Sequence, residues 1–438
     1  MTDISIIGLG KLGACMLVTF ASKGFKVTGV EIDKKKADLL KNGKTWHYEP
    51  QLEEYLNKYS DNITITDNFD EAIKNSSVTF VVVNTPSEKN GAFSTKQLIL
   101  ACKSIGSALK QKNDYHLVVI TSTVMPQTIR NELLPEIESS SSKKIGKDFG
   151  LCYNPEFIAL GSVIHDFLNP DFILIGESDK NAGDLLSAIF EKLLESPKLR
   201  RMSLENAEVT KIALNSYITM KITFANLLAE LCEKIPNGNV DIITESIGLD
   251  RRIGKNYLKG ALSFGGPCFP RDNRAFSLAA KIQGCNLELP DIVDKINYSH
   301  INHITDLVLQ HHKGGKISIL GVTYKPNTDV IEASASIEIA KRLVNKGAKV
   351  TLHDPVALDN VKKEYDNMFI YETNIEKCIR DSDVCVLATP WEQYKNLKEN
   401  DFKQMTGNTI IDCWRFLDSS SFNSINLILV GMGKPTNF

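Results

Sequence analysis

No apolar run in this sequence is long enough to cross a bilayer, and no basic region precedes the first strand-like segment, Ile4 to Gly8. Both absences argue against a membrane span or an export signal, so the chain is expected in the cytoplasm. Charge of one sign is also missing. The 51 Lys and Arg nearly balance 53 Asp and Glu, and a net charge of −2 leaves no footprint for a nucleic-acid backbone. The nine cysteines contain no Cys-x-x-Cys and no cluster with histidine at metal-ligand spacing, so no metal is expected. An odd, dispersed count fits a reducing compartment, where most cysteines are small buried apolar side chains. What remains is ordinary globular material, 42% hydrophobic and 24% charged over 438 residues, enough for two to three domains.

Strand-like segments at 4–8, 27–32, 78–83, 117–121 and 172–175 alternate with helical patterns from about Leu12 to Ser22 and from near Lys34. That alternation predicts a parallel sheet covered on both faces. The Ser-rich stretch Ser139 to Lys147, with Lys143 and Lys144, reads as an exposed loop. From Asn206 to about Glu233 the apolar residues fall at helical spacing without Pro or Gly, and helical segments continue to about His312. The strand–helix pattern restarts at Lys316, with strands at 317–320, 349–352 and 384–388 and a helix at 336–346. Thr389-Pro390 after the last strand echoes Thr85-Pro86 after 78–83. The expected fold is α/β: two Rossmann-like, doubly wound parallel-sheet domains (1–200 and 313–438) joined by a central helical dimerisation domain (201–312).

Gly8-Leu9-Gly10-Lys11-Leu12-Gly13 follows a strand and opens a helix. The first glycine permits the tight turn, the second lets the backbone approach a pyrophosphate, and the third allows close helix–strand packing. The helix N-terminus then offers N–H groups to the phosphates. The second strand ends in Val30-Glu31-Ile32-Asp33, at the spacing where a carboxylate binds the adenosine ribose and repels a 2′-phosphate, which favours NAD over NADP. Glu31 is the better ribose candidate by position. Lys36, in the run Lys34 to Lys36, softens that preference and joins the cofactor set. The bland alternative is a solvated strand end.

The sharpest local string is Phe264-Gly265-Gly266-Pro267-Cys268-Phe269-Pro270-Arg271-Asp272. Two glycines let the backbone approach a ligand, and Pro270 suits the first position of a helix through Ala275 to Ala280. Cys268 would then stand just ahead of a helix N-terminus, where the dipole favours thiolate. Lys211 and Asn215 lie one turn apart on the long helical segment, so they face the same way. They can stabilise an oxyanion by charge and by amide donation, although such a pair is common on any solvated helix.

The Cys268 string resembles the active-site loop of the UDP-glucose/GDP-mannose dehydrogenase family, and the resemblance covers essentially the whole chain. It includes Thr85-Pro86, Ser122-Thr123-Val124, Asn154-Pro155-Glu156-Phe157, Lys211 with Asn215, Arg252-Ile253-Gly254, Gly321 through Thr328, and Asp412 with Arg415. The resemblance implies an NAD-dependent four-electron oxidation of the sugar 6-hydroxyl to a carboxylate. Cys268 would carry the half-oxidised carbon as a thiohemiacetal and then a thioester. It further implies that Asp272 and Thr123 help activate and hold water, that Glu156 is the base of thioester hydrolysis, and that Thr85, Pro86, Ser122 and Thr123 adjoin the cofactor. Around the uridine, diphosphate or sugar it places Glu156, Phe157, Ile158, Leu160, Lys211, Asn215, Tyr257, Phe264, Gly265, Tyr324, Lys325 and Arg415. Arg252 would reach the active site of a neighbouring subunit in a homodimer or higher oligomer.

Several positions depart from the family pattern: Leu160 stands for a second glutamate, Phe172 and Ile331 for arginines, and Arg271 for a common lysine. Phe157 occupies the arginine position that marks the N-acetylhexosamine branches. UDP-glucose is therefore the leading substrate; a UDP-N-acetylhexosamine, GDP-mannose and TDP-glucose are the alternatives. A two-electron hydroxyacid dehydrogenase offers no reason for the Cys268 loop or the second α/β half. A non-catalytic nucleotide-sugar sensor offers none for keeping both the thiol and Lys211.

Overall fold

The structure, a computed structural model, describes residues 3–435. The chain resolves into two compact units, 1–213 and 214–438, and the division falls inside the helix Leu204–Lys234.

The first unit is built on eight strands: β1 (Ile4–Ile7), β2 (Val27–Val30), β3 (Ile63–Thr66), β4 (Val78–Val81), β5 (His116–Ile120), β6 (Phe149–Tyr153), β7 (Ile173–Glu177) and β8 (Leu199–Ser203). Their order is β3-β2-β1-β4-β5-β6-β7-β8. The first six follow the doubly wound order, in which ligands bind where the strand order reverses, between β1 and β4. Alternate residues of these strands feed two separate cores. Ile4, Ile6, Phe80 and Val119 join one, and Ile7, Val81, Val118 and Ile120 the other. Strands buried on both faces read as unbroken apolar runs, which is why β1, β4 and β5 were legible in the sequence.

The expectation of a purely parallel sheet needs one correction. β6 pairs antiparallel with β7, through Cys152 opposite Glu177 and Tyr153 opposite Gly176. The chain turns back there through the short helix Val163–Leu168 instead of making a full crossover. The Ser-rich loop also begins later than expected, because the helix Leu134–Ser141 takes Ser139 to Ser141.

The second unit carries a six-stranded parallel sheet: β9 (Lys316–Leu320), β10 (Lys349–His353), β11 (Ile370–Tyr371), β12 (Ser382–Leu387), β13 (Thr409–Asp412) and β14 (Asn426–Leu429). The order β11-β10-β9-β12-β13-β14 repeats that of the first unit. The threonine echo is structural too. Thr85 donates to the Thr123 carbonyl at 2.9 Å, and Thr389 to the Thr323 carbonyl at 2.7 Å. In both sheets a threonine after the fourth strand pins the loop that follows a neighbouring strand. The unit also holds most of Leu204–Lys234 and the helices Val240–Gly248, Phe269–Ile282 and Leu289–His311. No helix among the described residues is long and apolar enough to cross a membrane.

Candidate active site

In the first unit the turn after β1 opens on Gly8, whose φ of +92° and Cβ position 2.6 Å from the Val82 carbonyl oxygen exclude any side chain. A Cβ on Gly13 would run into the Gly8 carbonyl oxygen. Gly10 is different: nothing lies within 4 Å of where its Cβ would stand. The helix Lys11–Ser22 starts there without a side-chain cap. Open space above an uncapped helix N-terminus fits a dinucleotide pyrophosphate, so the residues present suit NAD. Glu31, nearly buried, links the second strand end to this turn. Its two carboxylate oxygens accept from Leu9 N at 3.2 Å and Asp33 N at 2.9 Å.

In the second unit a cavity of about 230 Å³ is lined by Tyr257, Lys259, Leu262, Phe264, Gly265, Phe269, Thr323, Tyr324, Lys325 and Trp414, among others. Its wall is segment 257–265, which belongs to no helix or strand. Asn226 and Asn297 stand in for a missing strand partner. Asn226 binds Ala261 N and Leu262 O, while Asn297 binds Phe264 N and Phe264 O, all between 2.9 and 3.2 Å. The floor is tight. A Cβ on Gly266, at φ +82°, would lie 2.7 Å from the Tyr324 ring, and one on Gly265 would strike the Ala333 carbonyl. Tyr257, Asn327 and Ala333 hold positive φ nearby, at +62°, +62° and +49°. Such backbone costs on the order of 1–3 kcal/mol per residue and gathers at ligand sites.

Cys268 is exposed and is itself the N-cap of the helix Phe269–Ile282, with Pro270 in the first turn. The helix therefore begins one residue earlier than expected, at Phe269, and Pro270 is second in it. Cys285, the other exposed cysteine, lies just beyond the C-terminus of the same helix, where the dipole has the opposite sign. The remaining seven are buried, and burial pushes Cys102 and Cys385 up to about 12. Asp272, with no exposed surface, accepts from Asn215 Nδ2 at 2.6 Å, and Arg271 Nε stands 3.2 Å from its other oxygen.

Back in the first unit, Lys211 is buried, donates to the Glu156 carbonyl at 2.7 Å and lies 4.8 Å from the centre of the Phe157 ring. Phe172 packs against that ring at 5.0 Å, so this departure from the family pattern completes an aromatic wall. The Glu156 Oε1 atom is sealed from solvent and has no hydrogen-bond partner. Burial pushes its carboxyl up to about 8, against an opposing pull from Lys211.

The sequence matches the UDP-glucose/GDP-mannose dehydrogenase family in three parts: NAD binding domain (2–194), central domain (205–299) and UDP binding domain (318–419). A "UDP-glucose 6-dehydrogenase AglM" of Haloferax volcanii is 33% identical over 416 residues, covering 94% of this chain and 96% of that protein. The chain belongs to the UDP-glucose/GDP-mannose dehydrogenase family. A "GDP-mannose 6-dehydrogenase" of Pseudomonas putida is 32% identical, covering 95% of this chain and 96% of that one. The structure of a UDP-glucose dehydrogenase from Pyrobaculum islandicum superposes with a TM-score of 0.90 at 28% identity, covering 99% of this chain and 98% of that one. The chemistry is that of the NAD-dependent nucleotide-sugar 6-dehydrogenases.

Within this dehydrogenase some expected site residues lie elsewhere or have other duties. Arg415, expected on the diphosphate, does not line the cavity. Its guanidinium forks onto both oxygens of Asp241 at 2.8 Å and onto the Val430 carbonyl at 2.6 Å, and Trp414 faces the cavity instead. A guanidinium so placed has few donors left for phosphate. Asp33 caps the helix Lys34–Lys41 through Lys35 N and Lys36 N, and the Lys36 ammonium lies over the Trp46 ring at 5.2 Å. Ile158 and Leu160 pack against the first unit's core. Arg252 is exposed and paired with Asp250. Ser122 is nearly buried and donates to the Val83 carbonyl at 2.7 Å.

Two carboxylates were missed because no local motif marks them. Glu49 accepts from Gly161 N and Val163 N at 2.7 and 2.8 Å and so fixes the segment after Glu156. Glu208 has no exposed surface and binds Gln127 N and Ile129 N just beyond Thr123. Among the described residues no group of three or more His, Cys, Asp or Glu is placed to hold a metal ion.

Proposed function

We propose that this dehydrogenase oxidises the 6-hydroxymethyl group of UDP-glucose to the carboxylate of UDP-glucuronate, with Cys268 as the covalent nucleophile. The observation that carries the reading is the exposed Cys268 at a helix N-terminus, directly after the segment that walls the cavity. Bound NAD would supply the acceptor for one hydride in each of the two oxidations; in the first, the 6-hydroxyl proton passes to the water that Thr123 and Asp272 hold, leaving the aldehyde. The Cys268 sulfur then bonds to the carbon of the aldehyde, and Asn215 and Lys211 offer hydrogen bonds to the oxygen that becomes anionic. Removing one such donor typically costs about 3 kcal/mol of barrier. The second oxidation turns that adduct into a thioester. Glu156 takes a proton from water, the water oxygen bonds to the carbonyl carbon, the C–S bond breaks, and the thiolate is regenerated. Thr123 and Asp272 hold and orient that water in the same scheme.

Lys325 serves the diphosphate as a point charge, with Tyr324 and segment 257–265 around the sugar nucleotide. The same proposal divides the chain into an NAD-binding part (1–200), a helical part (201–312) and a nucleotide-sugar part (313–438). It includes a homodimer, supported by Tyr217, Phe224 and Leu231, exposed at seven-residue spacing along Leu204–Lys234, with Arg252 acting across the interface. It places the enzyme in the cytoplasm, in keeping with nine cysteines that form no disulfide.

The test is NADH release across UDP-glucose, UDP-N-acetylhexosamines, GDP-mannose and TDP-glucose. Two NADH per UDP-glucose is the expected result. One NADH per sugar would remove the thiol step, and turnover confined to GDP-mannose would move the substrate.

A further inference from the structure

Segment 257–265 takes most of its order from side chains on two helices, and one of these side chains is a histidine bonded at both ring nitrogens. The Ala261 carbonyl oxygen lies 2.7 Å from Nε2 of His300, which is 1% exposed on the helix Leu289–His311. The other ring nitrogen, Nδ1, lies 2.6 Å from Oε1 of Glu230 on Leu204–Lys234. Both partners are acceptors. A carbonyl has no proton to give, and the Glu230 carboxyl is held below its usual range, chiefly by the bond to His300. The Ala261 carbonyl can only accept, so Nε2 carries the proton of that bond.

We infer that His300, held by Glu230, is a positioning residue for the sugar-nucleotide cavity. The inference rests on reading that cavity as the sugar-nucleotide site. On its own helix His303 stacks against the ring with centres 5.8 Å apart. Beside Glu230 stands Glu233, which pairs with His303 at 2.8 Å. Without the ring the Ala261 carbonyl loses its donor. Leu262, Ser263, Phe264 and Gly265, the next residues along, line the cavity. The ring therefore keeps the wall in place, and its loss loosens it.

Steady-state KM for UDP-glucose and for NAD, with kcat, measured on the full-length enzyme, tests this. Glu230→Gln keeps a hydrogen bond to Nδ1, so its sugar-nucleotide KM should stay within about threefold of wild type, whereas in Glu230→Leu it should rise roughly tenfold, the scale of one charged hydrogen bond, with NAD KM level. His300→Leu should raise the sugar-nucleotide KM roughly tenfold and leave NAD KM alone. An unchanged sugar-nucleotide KM in Glu230→Leu overturns the inference, and so does an unchanged one in His300→Leu. If His300→Leu fails to fold, the two Glu230 variants decide. Lys325→Ala separates the two readings. If it leaves the sugar-nucleotide KM unchanged, the cavity assignment fails; if it raises KM while Glu230→Leu follows the wild type, only the role of His300 falls.

Discussion

Asn215 donates from Nδ2 to Oδ2 of Asp272 at 2.6 Å, and the two side chains are shut away from solvent. One amide hydrogen is taken by the carboxylate, so Asp272 sets the direction of the second, the donor that the proposed mechanism gives to the oxyanion. Asp272→Asn keeps the shape but forces an amide to face an amide and leaves Arg271 without its carboxylate. Its kcat should fall by roughly 10²–10³-fold, as for a lost oxyanion donor. Its stability should fall by about 1–3 kcal/mol, read from thermal unfolding. A kcat within twofold of wild type would remove the pair from catalysis.

Cys268 and Cys285 flank one helix and provide a matched control. Cys268→Ser should bind NAD and sugar nucleotide in calorimetry yet release no uronate, whereas Cys285→Ser should turn over as the wild type does. Complete oxidation to the acid by the serine variant at 268 would end the covalent mechanism.

The glycines of the nucleotide turn separate folding from binding. Gly13→Ala drives a methyl group into the Gly8 carbonyl and should cost about 1–3 kcal/mol of stability, the usual penalty of overpacking. Gly10→Val meets no protein atom within 4 Å of the new Cβ, so the melting temperature should hold while NAD affinity drops about tenfold or more. Equal losses of stability in both variants would argue against a pyrophosphate above Gly10.

The sequence made these features legible because they are local. A strand–glycine–helix string, an apolar period of 3.6 and a cysteine before Pro270 each lie within one element. What it hid is carried by contacts between distant residues. Asp241 takes Arg415 across 174 positions, and Glu49 reaches Gly161 across 112. The antiparallel β6–β7 pair was hidden for a related reason, since buried strands show the same apolar run whichever way they point. His300 looks like any polar residue on an amphipathic helix until both of its nitrogens are seen on acceptors.

Lys325 and Arg415, both expected on the diphosphate, now call for opposite outcomes. Lys325 lines the cavity, so Lys325→Ala should raise KM for the sugar nucleotide roughly tenfold or more and leave NAD affinity nearly unchanged. Arg415 is 2% exposed in its side chain and holds the partly exposed Asp241, so Arg415→Ala should chiefly destabilise, by about 1.5–3 kcal/mol, the scale of hydrogen bonds to a charged group. A stable Arg415→Ala enzyme that lost only sugar-nucleotide affinity would restore the arginine to the phosphate.

Glu156 gives the pH dependence its sign. Its carboxyl is raised from 4.5 to about 8 by burial, so near neutrality it holds a proton that a base must first release. The hydrolysis step should therefore accelerate as pH rises through about 8, and Glu156→Gln should remove both the step and its rise. Stability runs the other way. A group whose folded value is raised contributes fully below its unfolded value and loses that contribution as pH climbs through the folded one. Glu156→Gln should therefore gain on the wild type in thermal unfolding between about pH 5 and 8, the window set by that shift. Rapid-quench measurement of thioester decay and melting curves over the same range read the two effects separately. A decay rate that stayed flat through pH 8, with Glu156→Gln decaying at the same speed, would take Glu156 out of the hydrolytic step.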